Sequence, residues 1–138
     1  MTEPREEYVT RDMDTADDID GSLHCEHGTL LDLKTPALFI LYSLSRTYNK
    51  THNKRLKVSS GYRCKECNAR AGGAAKSAHL RGEAFDVHYD NGHECYTILK
   101  FLLSNGVSIH RLGVGGTFIH FDIGSADEGY IQDTVWTY

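Results

Sequence analysis

At 138 residues, 40% hydrophobic and 25% charged, the chain fits one compact domain that can bury a core without disulfides, and it leaves no room for a second domain of ordinary size. The net charge of −4 hides an asymmetry: residues 1–20 hold eight acids against Arg5 and Arg11, so the remainder sits near +2, far from the basic footprint of a nucleic-acid binder. The longest apolar run, ALFILY, is too short to span a bilayer, so membrane insertion is not expected.

An acidic leader over 1–20 and one domain over 21–138 are expected. The leader lacks the cationic start and apolar stretch of a signal peptide, which predicts synthesis in the cytoplasm. In that compartment Cys25, Cys64, Cys67 and Cys95 read as thiols or metal ligands and not as a disulfide framework.

The first helix is predicted over 35–49, with Thr35 as cap, Pro36 in the first turn, and Leu41, Leu44 and Tyr48 on one face. KTHNKR then reads as a connection, LKVSSGYR as a strand ending in a turn, and CKECNARAGG as a short helix or loop stopped by its glycine pair. GHECYTILKFLLSNG predicts a second long helix, with Cys95, Ile98, Leu99 and Leu102 at core spacing and Gly106 as its stop. AFDVHY, RLGVGG and TFIHFDIG have the β-branched and aromatic content of adjacent antiparallel strands. The order predicts an α+β fold: a small single domain with an antiparallel sheet and flanking helices.

Alternation along two of these strands brings chemistry together. Phe85, Val87 and Tyr89 point one way and Asp86 the other; Ile119, Phe121 and Ile123 share a face opposite His120 and Asp122. If the strands are neighbours, Asp86 and His120 converge, and the loop SAHLRGEA can bring His79 beside them. Two imidazoles and a carboxylate suit zinc, because three protein ligands leave a fourth position for a water whose pKa the ion lowers toward about 7. On these residues alone a second reading stays open: a surface-loop histidine, a turn-capping aspartate and a hydrogen-bonded strand histidine.

The stretch SGYRCKECNARAGGAAKSAHLRGEAFDV, taken with GVGGTFIHFDIG, resembles the zinc D-alanyl-D-alanine carboxypeptidase family and its murein endopeptidase and phage lysis branches. The shared pattern is S-x-H-x-x-G-x-A-x-D, here Ser77, His79, Gly82, Ala84 and Asp86, followed by H-x-D, here His120 and Asp122. The resemblance runs from about residue 20 to about residue 124 and leaves SADEGYIQDTVWTY outside its diagnostic part.

It implies a small hedgehog/DD-peptidase-like fold and one Zn2+ per chain held by His79, Asp86 and His120. The implied activity is cleavage of stem peptides or crosslinks of bacterial peptidoglycan next to D-amino acids, as carboxypeptidase or endopeptidase. Arg63 would contact the oxyanion or a substrate carboxylate, a task suited to a planar, permanently charged guanidinium, and Ser77 would orient the His79 loop or touch substrate. Many members carry a carboxylate three residues before the last histidine; here that position is Thr117, which cannot accept a proton at neutral pH. Asp122 is then the first choice for the catalytic acid–base group, with an orienting role for the His120 ring as its alternative. Glu83 is second and reads more simply as a solvated loop acid, and His88 as a structural histidine.

Cys64 and Cys67 form a C-x-x-C, and HCEHG adds Cys25 with His24 and His27, so a second, structural metal site is one reading; a single C-x-x-C without a second pair is also commonly incidental. The two-histidine, one-carboxylate pattern of non-haem iron oxygenases needs a further histidine downstream, and none follows Asp122. A zinc-stabilised wall-binding module without catalysis is the other rival, favoured by Thr117. A wall-directed enzyme without export information fits a phage endolysin released by a holin or carried in a virion.

Overall fold

A computed structural model describes residues 18–104 and 109–138. Six strands form one sheet: β1 (Ile19–Asp20), β2 (Leu56–Ser60), β3 (Ala84–His88), β4 (Arg111–Val114), β5 (Phe118–Asp122) and β6 (Thr134–Thr137), in the order β1-β2-β3-β5-β4-β6. Three α-helices accompany it among the described residues: α1 (Thr35–His52), α2 (Lys65–Arg70) and α3 (Gly92–Ser104). The fold is α+β, as expected.

The ladders β2–β3, β3–β5 and β4–β5 are antiparallel, whereas β1–β2 and β4–β6 are parallel. The expected antiparallel sheet therefore holds for its centre and is corrected at both edges: the sheet is mixed. Parallel neighbours need a long crossover, here α1 between β1 and β2 and the segment 123–133 before β6, and hairpin-like patterns in a sequence do not signal such pairs. Ile19 and Asp20, the end of the expected leader, are β1, and Ile19 is buried. Residues 1–17 and Gly106, the expected stop of α3, lie outside the described residues.

Helix α1 takes in Thr35, the expected cap, and ends three residues later than the pattern suggested. Lys34 occupies the cap position without a capping bond from its side chain, so Thr35 is helical and not the cap; KTH continues the helix until Asn53, in the left-handed region at φ 56°, ends it. The buried face of α3 is turned toward Glu94, Thr97, Ile98, Phe101 and Leu102, with Cys95 and Leu99 at its margin. A buried carboxylate is tolerable there because Glu94 accepts from the Tyr48 hydroxyl (2.8 Å) and the Asp90 N–H (2.8 Å) and pairs with Lys54 (2.6 Å).

One face of the sheet carries the core. Leu56, Val58, Phe85, Val87, Leu112, Ile119 and Phe121 pack with Ile40, Leu41 and Leu44 of α1 and Ile98 and Leu102 of α3. Each such side chain contributes about 1.5–3 kcal/mol through burial, which fixes strand register because a one-residue slip would expose the whole set. The opposite face is thereby forced to present Asp86, Gly113 and His120. No helix among the described residues is long and apolar enough to cross a membrane.

Candidate metal centre

Asp86 of β3 and His120 of β5 are direct cross-strand partners, which is the convergence that alternation predicted. His79 arrives on the 3-10 turn Ala78–Arg81. Ser77 caps that turn, its hydroxyl accepting from the His79 N–H at 3.2 Å. Gly82 closes it at φ 70°, where a Cβ would run into the Asp32 carbonyl; both facts demand glycine at this motif position. One ligand atom from each of His79, Asp86 and His120 can be chosen so that all lie within 4.8 Å of one another.

The histidine tautomers are set by what lies behind each ring. His79 Nδ1 meets the Gly61 carbonyl at 2.7 Å; a carbonyl only accepts, so Nδ1 carries the proton and Nε2 faces Asp86 Oδ1 at 3.3 Å with a free lone pair. His120 lies between two carboxylates, with Nε2 2.7 Å from Asp122 Oδ2 and Nδ1 2.9 Å from Asp86 Oδ1; a cation on the Asp86 side requires the proton on Nε2, donated to Asp122, and the lone pair on Nδ1. Two imidazole lone pairs and a carboxylate, each ring oriented by an acceptor behind it, are the donor set of an open zinc site, and the residues present fit that ion.

Electrostatics follow this arrangement. Burial would raise the Asp86 carboxyl, but the His120 and His79 rings, whenever they carry a proton on the side that faces it, outweigh burial and hold the group well below the usual range. Burial would lower His120, yet the bonds to Asp122 and Asp86 raise it. Asp122 is held low against burial by His120, by the Gly124 N–H and by Arg111.

Asp122 is the expected catalytic residue whose surroundings are most telling. Its side chain is 0% exposed; Oδ1 accepts from Arg111 Nε (2.7 Å) and the Gly124 N–H (2.9 Å), and Oδ2 from His120. Both oxygens are thus engaged behind the His120 ring, on the side away from Asp86. Glu83, read as a solvated loop acid, is instead buried, beside Lys34 (3.8 Å) and Arg81 (3.9 Å) and away from the cleft. His88 bonds Asp90 at 2.7 Å. Thr117 is exposed, and its carbonyl accepts from the Tyr89 N–H.

The three donors lie in a cleft of about 590 Å³ that Arg63 and Ser77 also line. Arg63 Nε is buried and meets no acceptor among the described residues, so a strong donor stands ready in the cleft wall. Trp136, Tyr138, Tyr130 and Arg111 also line the cleft and were missed in the sequence. The Trp136 ring lies 5.4 Å from that of His120, and the Arg111 guanidinium sits 4.9 Å from the Tyr130 ring and 5.0 Å from Trp136. Alternation in TVWTY, which puts Thr134, Trp136 and Tyr138 on one face, was the signal that could have found the aromatic pair. Gly113, opposite His120, makes room for them: a Cβ there would lie 2.6 Å from Trp136 Nε1 and 2.9 Å from the Tyr138 hydroxyl.

Compared with known families, residues 16–122 match the one described as Peptidase M15. No curated protein matches the chain.

Proposed function

The chain belongs to the peptidase M15 family, whose members are zinc-dependent, D-alanyl-D-alanine carboxypeptidase-like hydrolases, and on that premise we propose that it hydrolyses peptide bonds in bacterial peptidoglycan. The substrates are stem peptides or their crosslinks, cut at D-amino acids, and the setting is a phage-type lysis enzyme that reaches the wall by holin release or within a virion. The observation that carries the reading is the convergence of His79, Asp86 and His120 in an open cleft beside Arg63, whose Nε meets no acceptor among the described residues.

The chain's residues divide the work. His79 Nε2, Asp86 Oδ1 and His120 Nδ1 would hold one zinc ion. When bound, zinc supplies Lewis acidity for the scissile carbonyl and acidifies a water in its open position. Arg63 takes a carboxylate or the developing oxyanion of the substrate through paired N–H groups. Ser77 is a positioning residue that fixes the turn carrying His79, and Asp122 is another, holding His120 in the tautomer that offers Nδ1. Trp136 and Tyr138 give a short peptide a flat apolar wall at low conformational cost.

Zinc-loaded protein incubated with purified sacculi tests this. Mass spectrometry should reveal new amines from the wild type, none from His120→Ala, and a loss of at least about tenfold in kcat/KM for Arg63→Ala with unchanged thermal stability. Equal digestion by wild type and His120→Ala would refute it; binding to sacculi without any cleavage would instead support a wall-binding module.

A further inference from the structure

The cysteines outside α3 gather at a second place. Cys25 and His27 lie on the loop after β1, Cys64 caps α2 and Cys67 sits in its first turn; one ligand atom from each of the four lies within 4.8 Å of the others. His27 Nδ1 stands 3.5 Å from Cys64 Sγ and 3.4 Å from Cys67 Sγ. With Zn–S near 2.3 Å and Zn–N near 2.0–2.1 Å, the S-to-N edge of a tetrahedral site is about 3.5 Å, so these separations suit a shared ion.

Two further features point the same way. His27 Nε2 lies 3.3 Å from Glu26 Oε2; a carboxylate on that side of the ring favours the proton on Nε2 and the Nδ1 lone pair toward the sulfurs, the orienting arrangement that metal-bound histidines use. The sulfurs are themselves acceptors of N–H groups: Cys64 N–H to Cys25 Sγ (3.4 Å), Cys67 N–H to Cys64 Sγ (3.5 Å) and Arg70 Nη2 to Cys67 Sγ (3.4 Å). Such donors stabilise thiolates, and the Arg70 guanidinium offsets the excess negative charge of a three-thiolate set. His24, by contrast, turns its Nδ1 to the Cys25 carbonyl at 2.9 Å.

We propose that Cys25, His27, Cys64 and Cys67 form a second, closed zinc site of structural character, which raises the stoichiometry from one ion per chain to two. Four protein ligands leave no position for water, so this site has no hydrolytic role. It clamps the segment 23–28 onto residues 61–64, where Leu23, Cys25 and Tyr62 already exchange backbone bonds (Cys25 N–H to Tyr62 O, 2.8 Å; Tyr62 N–H to Leu23 O, 3.0 Å). That clamped segment carries Gly61, whose carbonyl orients His79, and Arg63, whose N–H donates to the His79 carbonyl at 3.1 Å. The second ion thus braces the wall of the first.

Metal analysis of the full chain purified with zinc should give about two equivalents for wild type and about one for each of Cys67→Ser and His120→Ala. Cobalt substitution separates the sites: the thiolate-to-metal charge-transfer band should persist in His120→Ala and vanish in Cys67→Ser. Should Cys67→Ser fail to fold, the wild type alone decides, because a thiol reagent should modify only Cys95 in the metal-loaded protein and all four cysteines after chelation. One equivalent in the wild type that disappears in His120→Ala would overturn the proposal. So would four thiols reacting at once in loaded protein, or disulfides found by mass spectrometry. Failure of the peptidase reading leaves the cobalt–thiolate band untouched, so the two can fail separately.

Discussion

Replacing Asp122 by asparagine distinguishes a residue that holds a ligand from one that moves a proton. The substitution keeps shape and removes one acceptor. If the amide oxygen stays with Arg111 Nε and the Gly124 N–H, the new NH2 group faces His120 Nε2 and needs an acceptor there. His120 then shifts its proton to Nδ1, the nitrogen that faces Asp86, and loses the lone pair a metal would use. If the amide flips, its NH2 meets two donors from Arg111 and Gly124, and leaving such buried groups unpaired costs about 1–3 kcal/mol each.

Either route weakens metal binding by about 10–100-fold, or about 1.4–2.8 kcal/mol, the usual cost of removing an orienting partner behind a ligand histidine. Competition with a chromophoric chelator measures the affinity, and Cys67→Ser as background confines the titration to one site. Unchanged affinity together with lost hydrolysis would refute the reasoning and return Asp122 to the role of general base.

Two other perturbations test parts of the fold that support the site. Burial, with a hydrogen bond shared with Glu128, pushes the Glu83 carboxyl from 4.5 up to about 7. The folded chain therefore binds this proton more tightly than the unfolded one, so the associated stability is present below about pH 4.5 and lost as pH rises through about 7. Discounted for the opposite shift of Glu128, the loss is on the order of 1–2 kcal/mol. Urea titrations at both ends of the window should show it in wild type and not in Glu83→Gln, and parallel pH profiles would rule the shared proton out. Gly82→Ala should cost about 2 kcal/mol or more, because the left-handed backbone penalises a Cβ and that atom meets the Asp32 carbonyl. A melting temperature equal to wild type would contradict the turn geometry.

Alternation made the centre of the molecule legible. Phe85, Val87, Ile119 and Phe121 must be buried together, and that alone places Asp86 opposite His120 on the other face. Lone-pair direction was not legible, since it depends on Gly61 and Asp122 behind the rings and hence on contacts 18 and 2 residues away along the chain. The parallel edge strands escaped because their pairing depends on crossovers and leaves no local period. β6 in particular exposes Val135 and half-buries Trp136, a pattern weaker than that of a central strand. Glu83 reads as a solvated loop acid and nothing in the sequence singles out Glu94; only tertiary partners such as Tyr48 and Lys54 make the burial of Glu94 tolerable. His24 and His27 were indistinguishable in HCEHG until the backbone turned one toward the sulfurs.

Arg111 belongs to two neighbourhoods at once. Its guanidinium grips Asp122, which steadies a ligand imidazole, and the same planar group rests against Trp136 and Tyr130 at the mouth of the cleft. A guest that pressed on either aromatic ring would tug, through one cation and one carboxylate, on Nε2 of that imidazole and so on the ring whose Nδ1 faces Asp86. Docking at the mouth of the cleft and the set of the His120 ring would then be coupled, and a bulkier guest would be felt at the candidate metal centre before any bond is broken.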